Sequence, residues 1–320
     1  MATLVTGGAG FVGSNIVKAL AERGQDVVCL DLVAPDEMVM DYVRPWSDRV
    51  TFVRGDILNE ADIERLVEHD ITRIVHAAVF TGLQPEIEIG RSHSIVSINV
   101  MGTTNLLELA RRASVRRFLY ISSGSVYGER RDPDEVLHED SPLYPRTLYA
   151  ATKYSSELLT RRYGELHGFE TVSVRLGGPY GPMERVTGHR ANQSLLKEWT
   201  GNIVRGEPIG VGDRAMKRPF TYVKDIAAGI CAVLEAQSLS HEVYNHASDE
   251  WRPLEEVIEV LRELHPGLEV IDVPHGDVSG SGNSMDLTRL RQDVGFAPQF
   301  DLASGLTDYM EWREANHFTQ

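Results

Sequence analysis

The stretch TGGAGFVG, at Thr6–Gly13, decides the fold. It has the spacing G-x-G-x-x-G, directly follows an apolar run typical of a strand, and opens a segment with the apolar periodicity of a helix. Such a turn needs glycines because it is tight and because the backbone must approach a pyrophosphate without an intervening Cβ. The amides at the start of the helix then face the anion. We therefore expect a dinucleotide to contact Gly7, Gly10, Phe11, Val12 and Gly13.

Asp31 closes the second predicted strand, about 20 residues beyond the glycines, where an acidic side chain accepts hydrogen bonds from ribose hydroxyls. The same carboxylate would repel a 2′-phosphate. Asp36 and Glu37 follow it, and no Lys or Arg stands between Asp31 and Arg44. The sequence therefore predicts NAD rather than NADP, the alternative being an aspartate that only caps the following turn.

Short β-branched runs alternate with helical patterns over the first half of the chain. This alternation is typical of a parallel sheet with helices on both faces. Beyond Leu176, glycines and prolines interrupt it, and shorter elements follow without strict alternation. We predict the α/β fold class, with a Rossmann-type doubly wound parallel sheet that carries the catalytic residues in residues 1–176. A smaller α/β substrate-binding domain is expected in residues 177–320, with some exchange of chain between the two.

The predicted strands of the sheet are Ala2–Thr6, Asp26–Asp31, Val50–Arg54, Thr72–His76, Arg117–Ser122 and Thr171–Leu176. The predicted helices of the second part are Asn192–Arg205, Asp225–Glu235, Leu254–Leu264 and Leu302–Asn316, and Gly276–Ser284 is a predicted loop. Folds of this kind bind ligands at the carboxyl ends of their strands. Four residues that follow the third and fourth strands are therefore further candidates for cofactor contact: Asp56, Ile57, Ala77 and Ala78.

Tyr149 and Lys153 stand four residues apart in a helical pattern, which places a phenol and an ammonium on one face. At an effective dielectric of about 20 and a separation of about 4 Å, that charge stabilises a phenolate by about 4 kcal/mol, which lowers a tyrosine pKa of about 10 by roughly 3 units. Tyr149 would then act as a base near neutral pH. Taken alone, such a pair is more often a surface pair. Here Ser123 and Ser125 follow the fifth strand, where a hydroxyl is expected to bond the reacting oxygen.

Together these motifs resemble the extended short-chain dehydrogenase/reductases, the NAD-dependent epimerase/dehydratase family. The likeness continues through RPFTYVKD at Arg218–Asp225 and Gly-Phe-x-Pro at Gly295–Pro298, so it covers nearly the whole chain. The resemblance implies that Tyr149 is the general base or acid, that Lys153 lowers its pKa and holds the nicotinamide ribose, and that Ser123 polarises the substrate oxygen.

The resemblance also implies a place for Asn99 in the cofactor site, on a helix behind the active site. Arg218 matches the family's phosphate-binding arginine, the alternative being an ordinary surface ion pair. The family's usual homodimer, built on helices near residues 94–112 and 149–167, is likewise implied.

Two departures from the family pattern shape the expected activity. The family's dehydratases carry an acidic pair where this chain has Gly124 and Ser125, so the elimination of water lacks its acid and base. Nucleotide-sugar epimerases usually carry an asparagine and an arginine where this chain has Gly178 and Pro274. Two ligands of a nucleotide diphosphate are therefore missing.

We accordingly expect an NAD-dependent oxidoreductase that transfers a hydride at a secondary hydroxyl of a carbohydrate-like substrate, a free sugar or sugar acid. Ser123 and Ser125 would bind this substrate, and Arg218 or His275 would meet a carboxylate. One alternative is a nucleotide-sugar 4-epimerase with tightly bound NAD, in which the hydride returns to the other face. Another is an NAD-sensing regulatory protein, since a fold alone does not fix function.

Composition narrows the classes of partner. The 320 residues include 47 acidic and 32 basic side chains, a net charge of −15 that would repel nucleic acid and anionic membranes. We therefore expect neither as a partner.

No apolar stretch approaches the roughly 20 residues of a membrane span, and no secretory signal precedes the first strand, so we expect a cytoplasmic protein. The scattered histidines form no pair at ligand spacing, and we expect no metal site.

Overall fold

The computed structural model describes residues 1–132, 134–186, 193–248, 251–274 and 283–317. Its strands, in chain order, are β1 Ala2–Thr6, β2 Asp26–Asp31, β3 Val50–Arg54, β4 Ile71–His76, β5 Arg117–Ser123, β6 Glu170–Leu176, β7 Pro179–Tyr180, β8 Ile209–Val211, β9 Lys217–Pro219, β10 Thr221–Tyr222, β11 Val243–His246, β12 Trp251–Pro253 and β13 Val270–Asp272. Its helices are α1 Phe11–Glu22, α2 Glu37–Val43, α3 Glu60–Glu64, α4 Pro85–Val96, α5 Gly102–Arg112, α6 Leu148–His167, α7 Leu195–Arg205, α8 Val223–Glu235, α9 Leu254–Leu264, α10 Thr288–Val294 and α11 Leu302–Ala315.

A seven-stranded sheet in the order β11-β6-β5-β4-β1-β2-β3 forms the centre of the molecule. Every pair of neighbouring strands in it is parallel. The predicted Rossmann-type fold class is therefore confirmed. Because the strands are parallel and in register, their carboxyl ends, including those of β1, β2, β4 and β5, lie along one edge.

Both faces of the sheet are covered, because side chains alternate along each strand. Val5 packs with α1 and α8 in one apolar core. Its neighbour Leu4 packs with α3 and α5 in the other. A third core joins α7, α9 and α11 in the second part of the chain. The first two cores thus bury both faces of the sheet, and the third lies within the second part of the chain.

The predicted bounds of β1, β2 and β3 match the structure, and β4, β5 and β6 begin or end one residue away. Helix α9 also matches, and α8 begins two residues earlier than predicted. Helix α7 begins at Leu195 with Ser194 as its cap, while Asn192 and most of the predicted loop at 276–284 lie outside the described residues.

One strand of the sheet was not predicted. Val243–His246 pairs in parallel with β6, although it follows residue 176. Its four residues end in Asn245 and His246, so it lacks the apolar run that signals a strand. Helix α8 also follows residue 176 in the chain, and it packs against α1 of the first part. The division of the chain at residue 176 stays a prediction. No helix in the described ranges is long and apolar enough to cross a membrane.

Candidate active site

A cavity of about 780 Å³ lies over the carboxyl edge of the sheet, between that edge and the second part of the chain. Its walls include most of the residues predicted for the site: Gly7, Gly10, Phe11, Val12, Gly13, Asp31, Asp56, Ile57, Ala77, Ala78, Ser123, Ser125, Tyr149, Lys153 and Arg218. The structure thus brings together side chains that stand more than 200 positions apart in sequence.

The glycine turn at one end of the cavity leaves no room for side chains. Gly7 has a φ of +67°, and a Cβ there would lie 2.8 Å from the backbone of Ala78. A Cβ on Gly13 would lie 2.1 Å from the carbonyl oxygen of Gly7. Gly10 caps α1 without a side-chain hydrogen bond, so the first amides of that helix remain free of a side-chain cap. This cradle fits the pyrophosphate of a dinucleotide.

Asp31 lies beside the glycine turn, at the end of β2. Its Oδ2 accepts a hydrogen bond from the backbone N–H of Ala9 at 3.0 Å. The carboxylate is thereby fixed at the wall of the cavity, where the adenosine ribose of NAD would be held. Arg185 also reaches this region: it pairs with Asp36 at 2.7 Å and donates to the carbonyl oxygen of Ala9 at 3.1 Å. No local pattern predicted a role for Arg185, which follows β7.

Asn99 is placed differently from the other predicted cofactor residues. It is buried behind the cavity wall, where its amide accepts from the N–H of Phe80 at 2.8 Å and donates to the carbonyl oxygen of Phe80 at 3.1 Å. It also donates to the hydroxyl of Thr152 at 3.0 Å. Asn99 therefore joins the loop after β4 to α6 and does not itself line the cavity.

Tyr149 and Lys153 project from the first two turns of α6, which Thr147 caps by accepting the N–H of Ala150. The Nζ atom of Lys153 lies 5.8 Å from the centre of the Tyr149 ring and donates to the carbonyl oxygen of Ile121 at 2.7 Å. Lys153 is 2% exposed, and this burial lowers its pKa to about 7 although Glu157 acts in the opposite direction. The ammonium is therefore desolvated next to the phenol.

Two serine hydroxyls lie near this pair, at the end of β5. Ser123 Oγ accepts the N–H of Ser125 at 3.2 Å and so caps the short 3₁₀ turn Gly124–Tyr127. Ser125 Oγ is buried and finds no hydrogen-bond partner among the described residues. A buried hydroxyl in the wall of a cavity without a partner is costly unless a ligand satisfies it. Ser125 is therefore a candidate for substrate contact, and Ser123 is a second candidate because it also lines the cavity.

A buried ion pair lies beneath the reaction centre. Glu157 and Arg175 are 5% and 4% exposed and form two hydrogen bonds of 3.0 and 2.8 Å. Ser122 donates to the same carboxylate at 2.5 Å, and Arg175 also donates to the hydroxyl of Tyr127 at 3.0 Å. The pair thus joins α6 to β5 and β6.

The structure gives physical reasons for two of the departures from the family pattern. A Cβ on Gly124 would lie 3.0 Å from the sulfur of Met285, which fills the space that an acidic side chain at 124 would need. Gly178 has a φ of +54°, and a Cβ there would lie 2.1 Å from the carbonyl oxygen of Pro219. Pro274 is exposed just beyond β13. His275 lies outside the described residues.

Several residues that line the cavity were not predicted. Arg146 directly precedes Thr147 at the start of α6, so the neighbouring Tyr149 and Lys153 could have signalled it. Some of the others reach the cavity through long-range contacts and have no local pattern that points to it, among them Arg185, Gln193, Ser194, Asn283 and Met285. Within the described ranges, no group of His, Cys, Asp or Glu residues has the arrangement of a metal site.

The fold and the cavity define a dinucleotide-dependent oxidoreductase with a Rossmann-type sheet. A family model described as the NAD dependent epimerase/dehydratase family matches residues 3–247. The chain is 32% identical to a dTDP-glucose 4,6-dehydratase of Streptomyces niveus over 99% of this chain and 94% of the relative. It is 30% identical to a UDP-glucuronate 4-epimerase of Thermodesulfobacterium geofontis over 98% and 96%. The chain belongs to the NAD-dependent epimerase/dehydratase family.

Solved structures agree with this assignment. The UDP-glucuronic acid 4-epimerase from Bacillus cereus, in complex with UDP-glucuronic acid and NAD, is 26% identical, with a TM-score of 0.84 over 99% of this chain and all of the other. The Thermus thermophilus UDP-glucose 4-epimerase, in complex with NAD, is 27% identical, with a TM-score of 0.82 over 98% and 99%.

NAD is confirmed as the cofactor of this family of carbohydrate-active oxidoreductases. The sequence-based preference for net oxidation of a free sugar or sugar acid is not supported, because these relatives are nucleotide-sugar epimerases and dehydratases. The alternative that the sequence left open, a nucleotide-sugar 4-epimerase, fits these relatives better. The preference for a free sugar rested on the ligands missing at Gly178 and Pro274; it counted Arg218 but not Arg146, which also lines the cavity.

Proposed function

We propose that this protein is a nucleotide-sugar 4-epimerase that uses tightly bound NAD. The observation that carries the proposal is the meeting of Tyr149, Lys153 and Ser123 at one end of a cavity whose other end is the glycine turn. A site of this kind oxidises a hydroxyl and reduces the resulting carbonyl within one cavity. NAD, when bound, supplies the hydride acceptor and donor. The protein residues manage the proton and the orientation of the sugar.

Each of the three residues has a distinct part in the proposed reaction. Tyr149 takes the proton from the sugar hydroxyl during oxidation and returns it during reduction. Lys153, in its charged form, stabilises the phenolate of Tyr149 and binds the nicotinamide ribose. Ser123 donates a hydrogen bond to the same sugar oxygen. Because the hydride returns to the sugar, no net oxidation takes place.

The cavity also suits an anionic nucleotide diphosphate. Arg146 and Arg218 both line it, and burial lowers the pKa of Arg218, as expected for a cation held partly out of water. Arg185 already pairs with Asp36 at the cofactor end. We infer that Arg218 binds the diphosphate, as the family resemblance implies, and that Arg146 replaces ligands missing at Gly178 and Pro274.

Dehydration is disfavoured as the outcome. It requires an acid and a base near the carbons that lose water, and Gly124 and Ser125 offer neither. Met285 occupies the space beside Gly124. The sequence similarity to dTDP-glucose 4,6-dehydratases therefore reflects the shared oxidation step and not the elimination step.

The test is to incubate the NAD-loaded protein with UDP- and dTDP-hexoses and to analyse both sugar and cofactor. We expect the C4 epimer of one nucleotide sugar to appear without a net rise in NADH absorbance. NADH formed in proportion to an oxidised free sugar or sugar acid would reject the epimerase assignment. A 4-keto-6-deoxy product would show a dehydratase that uses other groups for elimination.

We also propose that the protein is a homodimer through α4, α6 and the π-helical turn Ser97–Met101. Five apolar side chains there are exposed, although α4 packs against α6: Ile89, Val96, Met101, Leu158 and Leu166. Exposed apolar side chains on elements that pack against one another are typical of an interface. We propose that a second copy of the chain covers these side chains, because a two-fold axis would bring the same surface of both copies together.

A charge introduced into this face should separate the dimer. We expect the wild-type protein to have twice the mass of the chain by light scattering, and the double variant Met101→Asp/Leu158→Asp to have the mass of one chain. Ile271→Asp, at a residue of β13 that is also exposed, is the control and should stay dimeric. A wild-type protein with the mass of one chain at micromolar concentration would refute the dimer.

A further inference from the structure

Among the described residues, Glu157 is the carboxylate that acts on Lys153. The groups that face it or its neighbours are His76 on β4, Tyr120 on β5, Tyr149 and Glu157 on α6, and Arg175 on β6. Burial, together with Lys153, lowers the pKa of His76 to about 3, so that histidine is neutral. Burial raises the pKa of Tyr120 far above its ordinary value, so that phenol is neutral as well. Glu157 is therefore the anion that offsets the ammonium.

Glu157 stands four residues after Lys153 on α6, one turn further from the cavity. Its carboxylate is held from two strands: by Ser122 at 2.5 Å on β5 and by Arg175 at 3.0 and 2.8 Å on β6. Lys153 itself donates to the carbonyl oxygen of Ile121, next to Ser122. Helix α6 is thus fixed to the end of β5 at two successive turns, directly before the strand presents Ser123.

A buried ion pair of this kind is costly to assemble, because both charges lose their hydration. Its contribution to stability alone is therefore a weak reason for its position. What the position does provide is a negative charge close to a desolvated lysine and a rigid link between the helix of Tyr149 and the strand of Ser123.

We propose that Glu157 is a positioning residue that keeps Lys153 charged and holds α6 against β5 and β6, so that Tyr149 and Ser123 reach the same substrate oxygen. Glu157 itself lines no part of the cavity. The inference rests on the proposed function at one point, the assignment of proton transfer to Tyr149 and Lys153. The effect on the charge of Lys153 is a property of the protein and is measurable without turnover.

The test is a nuclear magnetic resonance titration of the lysine side-chain nitrogens in protein saturated with NAD. The protein is labelled with ¹⁵N-lysine, and the Lys153 signal is assigned with Lys153→Met. In Glu157→Gln the anion is gone while Arg175 remains, so Lys153 should lose its proton at a pH lower by about one unit. The fall in kcat at high pH should begin lower by the same amount. Glu165→Gln, an exposed residue on the same helix, is the matched control and should leave the titration unchanged.

Two further variants keep the outcome decisive. Glu157→Asp retains the carboxylate charge on a side chain that is one methylene shorter. Lys153 should therefore titrate near the wild-type pH while kcat falls. Glu157→Gln/Arg175→Gln removes both charges and avoids an unpaired buried cation, should the single variant fail to fold. In this double variant Lys153 should again titrate at a lower pH than in the wild type, but the decrease should be smaller than in Glu157→Gln.

A wild-type titration of Lys153 in the folded Glu157→Gln variants overturns the inference, whatever their activity. A shifted titration in a protein without epimerase activity would reject the proposed function and leave the inference standing.

Discussion

Tyr149→Phe is expected to lower turnover by about 10²–10⁴-fold, the usual contribution of a positioned acid or base. The substitution deletes only the oxygen that would transfer the proton. The ring stays beside Lys153, whose Nζ lies 5.8 Å from its centre. NAD binding and thermal stability should therefore remain close to those of the wild type, and the loss should be in kcat and not in the amount of bound cofactor.

The measurement is a single-turnover assay on protein of known NAD content, with thermal melting in parallel. Tyr163→Phe is the matched control, because it makes the same substitution on the same helix. The Tyr163 hydroxyl lies outside the cavity lining and donates to Glu108 at 2.9 Å. That variant should keep near-normal turnover. A Tyr149→Phe protein with turnover within tenfold of the wild type would show that another group is the base.

The parts of the fold that sequence analysis predicted are those with a local signal. Strand β1, the glycine turn and α1 form a continuous pattern, and so do β2 and Asp31. The ends of β4, β5 and β6 shifted by only one residue, because pairing with neighbours extends a strand slightly beyond its apolar run. Strand β11 had no such pattern. It is a strand because β6 offers it a free edge and because its Tyr244 is buried in the same apolar core as α8.

The same distinction separates the predicted and unpredicted parts of the site. Tyr149 and Lys153 lie within one helical turn of each other, and Ser123 follows a strand that was itself predictable. Arg185 and Met285 reach the cavity only through tertiary contacts, so the residues next to them in sequence do not predict that they line it.

The preference for a free sugar, which the comparisons do not support, also rested on local patterns. The absence of cations near Asp31 in the sequence concealed Arg185, which the fold brings to Asp36. The sequence analysis counted Arg218 as a phosphate ligand but did not count Arg146, which also lines the cavity. A count of matching motif positions omits ligands that come from elsewhere in the chain, and this omission favoured a free sugar over a nucleotide sugar.

Gly13→Ala is expected to abolish tight NAD binding although it adds a single methyl group. The new Cβ would lie 2.1 Å from the carbonyl oxygen of Gly7, 2.8 Å from its carbonyl carbon and 2.9 Å from the Cα of Gly8. All three atoms are backbone, so no side-chain rotation relieves the overlap. Either α1 moves away from β1 or the glycine turn moves toward the cavity, and both displace the amides at the start of α1.

The overlap should lower the free energy of unfolding by about 1–3 kcal/mol, the usual cost of overpacking a core. The loss of two hydrogen bonds to the pyrophosphate, at about 1.5 kcal/mol or more each, should weaken NAD binding by about 100-fold or more. Calorimetric titration with NAD and thermal melting measure the two effects separately. Gly267→Ala is the matched control, because a Cβ there meets no atom within 4 Å and the residue is far from the turn in sequence; its affinity should equal that of the wild type. If Gly13→Ala binds NAD within threefold of the wild type, the amides at the start of α1 are not where the pyrophosphate binds, and the cofactor lies elsewhere in the cavity.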